Sequence, residues 1–163
     1  MKPTIAILAV ILLSAGGAAA QTAEAPPPVA QATAPEVPAS GESWNLFSRT
    51  PDRVYLVDLG AVVTTGDVKA VKVAVVPQQA DAGDLSHSID IYELKCDAGQ
   101  SRATTSTQYG VDGALVDQYD DPSPWEAVRT GSVDQNVSTL VCNDRVTTQI
   151  YPTIKAFIDA GRP

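Results

Sequence analysis

The chain has 163 residues, 12 prolines and a formal net charge of −8 at pH 7. Such an acidic chain is poorly suited to nucleic acid, because phosphate binding needs a positive surface. The acidity is explained either by the solubility of an exported protein or by an acidic face that meets a basic partner or a cation.

Residues 1–20 have the pattern of a secretory signal peptide. Lys2 precedes an uncharged apolar run from Ile5 to Leu13, and Ala18-Ala19-Ala20 offers small residues to a signal peptidase. The run is too short to span a bilayer comfortably, which makes a retained membrane anchor the weaker alternative. We therefore expect an exported protein with no stable membrane span after cleavage, placed in the periplasm, at the cell surface or in the medium.

Residues 21–42 differ sharply in composition from the rest of the chain. They consist almost entirely of Ala, Pro, Gln, Glu, Thr and Val. Such a segment buries too little apolar surface to offset its ordering entropy, so the sequence predicts a disordered Pro/Ala-rich linker. It serves either as a spacer that holds the domain away from a membrane or wall, or as a tail without a role.

Residues 43–163 suit one small domain, and their pattern is mostly that of β-strands. Alternating or β-branched segments predict strands at 54–59, 71–76, 88–95, 102–109 and 114–119. Turn signals separate them at Thr65-Gly66-Asp67, Asp97-Ala98-Gly99 and Asp112-Gly113. Within 88–95 the apolar phase changes, which indicates either a bulge or two buried faces. The hairpins imply an antiparallel meander of about five or six strands.

Two helices are predicted after this meander. Ser132 and Gln135 have the spacing of a capping box, and an apolar stripe from Val133 to Val141 follows, so a helix should pack on the sheet and end at or just before Cys142. The β-branched residues of this stripe leave a strand as the alternative. Residues 152–160 predict a short C-terminal helix with Gly161 in the capping position. The fold class is therefore α+β.

Cys96 and Cys142 are the two cysteines of the chain. In an oxidising compartment, two cysteines in one small domain most simply pair with each other. The competing interpretation is a redox-active dithiol, which the absence of a Cys-x-x-Cys motif disfavours. We expect one disulfide between the end of a strand and the end of the first helix.

The order of these features resembles the surface-adhesin protein E family of bacterial envelope proteins. The residues that carry the resemblance are Trp44, Tyr55 to Asp58, Cys96, Arg102, Tyr109, Gly113, Trp125, Gly131-Ser132 and Cys142. The resemblance covers nearly all of the domain at 43–163. One departure is that no cysteine follows the apolar run of the signal segment, where an outer-membrane lipoprotein would carry its lipid.

The resemblance implies a small antiparallel sheet with a helix against it, a disulfide between the two cysteines, and the capacity to form a homodimer. It also implies an adhesive role, since the founding member looks like an adhesin that binds host matrix and serum proteins. We therefore expect the partner to be another protein, and we expect no cofactor.

The residues themselves give little support to an enzyme. His87 is the sole histidine, and neighbouring residues on an extended chain face opposite ways, so Ser86 and His87 are badly placed for a catalytic pair. A solvated loop histidine is the simpler interpretation. The series Asp81, Asp84, His87 and Asp90 lacks the glycine and glutamate of a calcium loop. We therefore assign no catalytic and no metal-binding residue.

Tyr109 and Tyr119 flank the predicted Asp112-Gly113 hairpin. If both project from its outer face, they form an exposed patch of the kind that marks a partner site. The function expected from the sequence is thus an exported, non-enzymatic interaction module of the cell envelope. The alternatives are a periplasmic domain that binds a small ligand or inhibits an enzyme and, least favoured, a hydrolase.

Overall fold

A computed structural model describes residues 41–163. The predicted signal peptide at 1–20, and the predicted linker except for its last two residues, lie outside the described residues. The strands are β1 (Trp44–Arg49), β2 (Arg53–Asp58), β3 (Val63–Thr65), β4 (Val68–Pro77), β5 (His87–Lys95), β6 (Gln100–Tyr109), β7 (Leu115–Asp120), β8 (Glu126–Ala127) and β9 (Ile150–Tyr151). The helices are α1 (Val133–Cys142) and α2 (Ile154–Asp159), and a 3₁₀ turn at Leu59–Ala61 follows β2.

All strands of the described residues belong to one antiparallel sheet with the order β7-β6-β5-β4-β2-β1-β9. β3 pairs with β4, and β8 pairs with β6. The predicted meander is confirmed, but the predicted five or six strands are too few, since the sheet has nine. The missed strands gave little signal: β3, β8 and β9 have two or three residues each, and the register of β1 shifts at Phe47.

The apolar phase changes within β5 because this strand has apolar side chains packed on both faces of the sheet. Ile89 packs with one apolar cluster of the domain, whereas Leu94 belongs to the other. A bulge is also present at this level, but its extra residue lies in the neighbouring strand. Ile91 pairs with Thr105 and Tyr92 pairs with Ala103, so Thr104 of β6 is left unpaired.

The two helices cover opposite faces of the sheet. Along β2, Leu56 packs in the cluster that contains Phe157 of α2, while its neighbour Val57 packs in the cluster that contains Val137 of α1. Successive side chains of a strand point to opposite faces, so the middle of the sheet is apolar on both sides. Each helix buries one of these sides.

The sequence signals of both helices correspond to real caps. The hydroxyl oxygen of Ser132 accepts a hydrogen bond from the Gln135 amide at 3.1 Å, and the Gln135 side chain accepts one from the Gly131 amide at 2.7 Å. α1 ends at Cys142, as predicted, so the strand alternative for this segment is wrong. α2 is capped by Thr153 and is followed by Gly161 at a φ of +86°.

The end of α1 is fixed to the sheet by two bonds. Cys96, which directly follows β5, forms the predicted disulfide with Cys142, the last residue of α1, with a Cα–Cα distance of 5.6 Å. Beside it, the ammonium group of Lys69 in β4 donates a hydrogen bond to the Val141 carbonyl at 2.9 Å. A cation at this position also interacts favourably with the helix dipole.

Replacing both Cys96 and Cys142 by serine should lower the free energy of unfolding by about 4 kcal/mol. The bridge closes a segment with a sequence separation of 46, and its loss frees the unfolded chain to explore many more conformations. Urea denaturation of the double variant and of the parent protein measures the difference. Equal midpoints, or two thiols that alkylate without reductant in the parent protein, would contradict this account of the bridge.

Candidate interaction surface

β7 forms one edge of the sheet. Within residues 41–163 it pairs with β6 on one side and with no strand on the other, and all six of its residues are exposed. The opposite edge is β9, which is only two residues long. An unpaired edge presents backbone N–H and C=O groups that another extended chain can pair with. β7 is thus the longer open edge of the two.

Exposed apolar side chains are concentrated on the hairpin that joins β6 to β7. The large apolar residues that are at least half exposed in the described part of the chain number seven, and four of them lie between 111 and 119. These four are Val111, Leu115, Val116 and Tyr119, whereas Val63, Val146 and Ile150 lie elsewhere. This concentration of exposed apolar side chains makes the hairpin the candidate interaction surface of the described residues. We call the stretch from Val111 to Asp120 the β7 edge.

The tip of the hairpin is held in place by the segment before β5. The Leu85 amide donates a hydrogen bond to the Val111 carbonyl at 2.9 Å. Gly113 has a φ of +76°, and a Cβ atom on it would lie 3.2 Å from the Leu85 side chain. Glycine suits this turn because it adopts a positive φ without strain and has no Cβ atom to press against the Leu85 side chain. The β7 edge starts from a fixed point rather than from a free loop.

The two tyrosines that the sequence pointed to do not form one patch. Tyr119 pairs with Ser106, and Tyr109 lies three residues further along β6, so their side chains are on opposite faces. Tyr119 is half exposed, and its hydrogen bond with Asp117 raises the pKa of its hydroxyl. That either tyrosine binds a partner stays a prediction, but they cannot do so as a single patch.

Tyr109 is engaged by the histidine of the chain. The rings of His87 and Tyr109 stack with their centroids 4.4 Å apart and their planes 9° from parallel. The Nδ1–H of His87 donates to the Leu85 carbonyl at 2.7 Å, and burial lowers the pKa of the imidazole. His87 is therefore the half-buried first residue of β5, which corrects the expectation of a solvated loop histidine. No local sequence signal indicates this stacking, because it depends on the register that pairs His87 with Tyr109.

The polar residues around His87 are used in separate interactions. The Ser86 amide donates to a carboxylate oxygen of Asp84 at 2.8 Å, and hydrogen bonds from Ser86 lower the pKa of Asp84. Asp90 accepts a hydrogen bond from the Ser106 hydroxyl at 2.6 Å. In the described part of the chain, no group of three or more His, Cys, Asp or Glu residues is placed to hold a metal ion.

A shallow pocket of about 510 Å³ opens where β5 begins and β6 ends. The residues that line it are Asp52, Arg53, Val75, Pro77, Ser86, His87, Ser88, Gln108 and Tyr109. Its floor crosses four strands, because Arg53 pairs with Pro77 and Ser88 pairs with both Val75 and Gln108. No local sequence pattern indicates this pocket, since only the sheet register brings Arg53 and Gln108 to one place.

The β7 edge is acidic. The residues between Arg102 and Arg129 contain no lysine, arginine or histidine. The β7 edge itself contains Asp112, Asp117 and Asp120. Asp121 directly follows it, and Glu126 in β8 pairs with Arg129 at 3.7 Å. The guanidinium group of Arg102 is itself engaged, since it pairs with Glu93 at 2.6 Å and lies 4.5 Å from the ring centre of Trp125. The exposed hairpin therefore combines apolar side chains with the carboxylates of Asp112, Asp117 and Asp120, which form no ion pair within residues 41–163.

A protein-family model matches most of the described residues. The family model described as surface-adhesin protein E matches residues 44–143, which is more than half of the chain and includes both cysteines. The chain belongs to the surface-adhesin protein E family. Searches of curated proteins and of solved structures returned no match to it.

Membership of the surface-adhesin protein E family points to an adhesin-like module at the cell surface or in another exported position, and to binding rather than catalysis. No helix among residues 41–163 is long and apolar enough to cross a membrane. The family match runs from the start of β1 to just beyond the end of α1, so it contains the β7 edge and the disulfide together.

Replacing His87 by phenylalanine should flatten the dependence of stability on pH between about 7.5 and 5. The folded state lowers the pKa of His87 below its unfolded value, so on acidification the unfolded chain takes up the proton first and the folded state loses stability. Phenylalanine can still stack on Tyr109 but does not titrate, and the chain has no other histidine. Urea denaturation at several pH values compares the two proteins.

The variant should lose less stability than the parent over this range, because it has no imidazole to take up a proton. Aspartates and glutamates titrate mainly below this range, so they add little to the difference. Parallel curves for the two proteins would contradict the burial of a neutral His87.

Proposed function

We propose that this protein is an exported, non-enzymatic module of the cell envelope that binds another protein through the β7 edge. In this proposal residues 1–20 are a signal peptide, residues 21–42 are a linker, and residues 43–163 are the binding domain. The observation that carries it is that β7 is exposed along its whole length and unpaired on its outer side within the described residues.

Support for protein binding comes from the combination of backbone and side-chain exposure. The apolar side chains of Leu115, Val116 and Tyr119 are more than half exposed on the same strand that has the open edge. Removing this apolar surface from water favours a complex, and the part of this gain that exceeds the lost motional and side-chain freedom appears as affinity. Backbone pairing adds directionality to this contact.

The pocket beside His87 supports the alternative of a small-ligand site less well. Binding sites for small molecules are usually concave and largely enclosed, with a few convergent polar groups. Here Arg53 and Gln108 are exposed, and the pocket is an open depression on the sheet. Ser86 and His87, which a hydrolase would need to act together, make hydrogen bonds to different neighbours.

A photo-crosslinking residue placed at Val116 tests the proposal in cells that make the protein. Val116 lies in β7 and is 67% exposed, and Val63, in β3 at another part of the sheet, is 60% exposed and serves as the matched control. We expect irradiation to give a discrete adduct of higher mass at position 116 and none at position 63. The same bands at both positions, or no band at position 116, would contradict binding through the β7 edge.

A further inference from the structure

We propose that the occupant of the β7 edge is an extended segment of the partner that has a lysine or arginine and an apolar residue on each of its two faces, and that it joins the sheet as an additional strand. This inference rests on the proposed function and specifies the chemistry of the partner.

The backbone of β7 sets the shape of the occupant. β7 is a six-residue strand whose outer edge has no partner among residues 41–163. The groups on such an edge lie in a row at the spacing of a β-strand, so an extended chain can satisfy several of them at once. A helix presents no free backbone donors or acceptors along its side and would use only the apolar side chains.

The side chains of β7 set the composition of the occupant. The register with β6 places Asp117 and Tyr119 on one face of the strand, opposite Gln108 and Ser106. Asp120 and Leu115 lie on the other face, since they pair with Thr105 and Tyr109. Each face of β7 thus offers one carboxylate and one apolar side chain. A matching strand has a cation and an apolar side chain on each of its own faces.

The same charges disfavour a second copy of this chain at the β7 edge. Self-pairing would bring Asp117 and Asp120 of two copies into one interface, in chains that each have a formal net charge of −8. Like charges that face each other across paired strands are destabilising. Natural edge strands avoid pairing with copies of themselves by means of charged residues and β-bulges. β7 has such a bulge, since Val116 is skipped in the pairing of Gln108 with Asp117 and Tyr109 with Leu115. The edge is thereby selective for a basic segment.

Three synthetic peptides test the inference against the purified protein. The first has the order Lys-Val-Thr-Lys-Val, which puts one lysine and one valine on each face of an extended strand. The second replaces each lysine by glutamate, and the third keeps the lysines but has every second backbone amide N-methylated. NMR titration of the β7 amides reports binding. We expect the first peptide to bind and to protect alternate β7 amides from hydrogen exchange, and the other two to bind at least tenfold more weakly.

A charge variant of the protein provides the second measurement. Replacing Asp117 and Asp120 by asparagine should weaken the binding of the lysine peptide by roughly tenfold at low salt, since two exposed ion pairs are lost. The matched control replaces Asp67 and Asp97, which are exposed in turns away from β7, and should leave the affinity nearly unchanged. Equal binding of the N-methylated peptide would overturn strand addition, and equal binding of the glutamate peptide would overturn the charge preference.

The failure of this inference can be told apart from failure of the proposed function. If crosslinking at Val116 captures a protein in cells while the peptides bind alike or not at all, the edge is a binding site for a different chemistry. If crosslinking captures a second copy of this chain, the inference of a basic partner is overturned. If position 116 captures nothing, the proposed function itself fails, whatever the peptides do.

Discussion

The constraint on which the rest of this structure depends is that its central strands are apolar on both faces. In β2, Leu56 and Val57 are fully buried on opposite sides, and in β4 the same holds for Val73 and Ala74. A sheet of this kind cannot leave either side in water without exposing apolar area worth about 25 cal/mol per Å². It needs one helix on each face, and α1 and α2 fill these places. The disulfide at Cys142 and the hydrogen bond from Lys69 hold α1 where it is needed.

The shortness of these helices explains where the exposed apolar side chains of the β7 edge lie. α1 has ten residues and α2 has six, and the apolar clusters beneath them contain side chains of β1, β2, β4 and β5. α1 also reaches the start of β6, where the Ser101 hydroxyl donates a hydrogen bond to Asp134 at 2.9 Å. The β6–β7 hairpin extends beyond the helices, and its strands are accordingly rich in threonine, serine, glutamine and aspartate. The apolar side chains that it does expose gain nothing from the core. Their presence on an open edge is what distinguishes the β7 edge from an ordinary solvated hairpin.

Local chemistry made much of this fold predictable from the sequence. The Ser132–Gln135 spacing located the start of α1, and Asp112-Gly113 located the hairpin before β7. The expectation of an oxidising compartment, which came from the predicted signal peptide, led to the disulfide. Features that depend on register were not predictable, because a shift of one residue reverses every side chain of a strand. The stacking of His87 on Tyr109 and the separation of Tyr109 from Tyr119 are of this kind. The short strands β3, β8 and β9 were missed because two or three residues carry no periodicity.

The central claim is that β7 is an ordered strand with one paired side and one open side. Amide hydrogen exchange of the unliganded protein, followed by NMR, tests it residue by residue. We expect the β7 amides directed toward β6 to be protected and those directed outward to exchange rapidly, in alternation along the strand. Protection of every β7 amide would show that the edge is already covered, and rapid exchange of all of them would show that β7 is not held in the sheet.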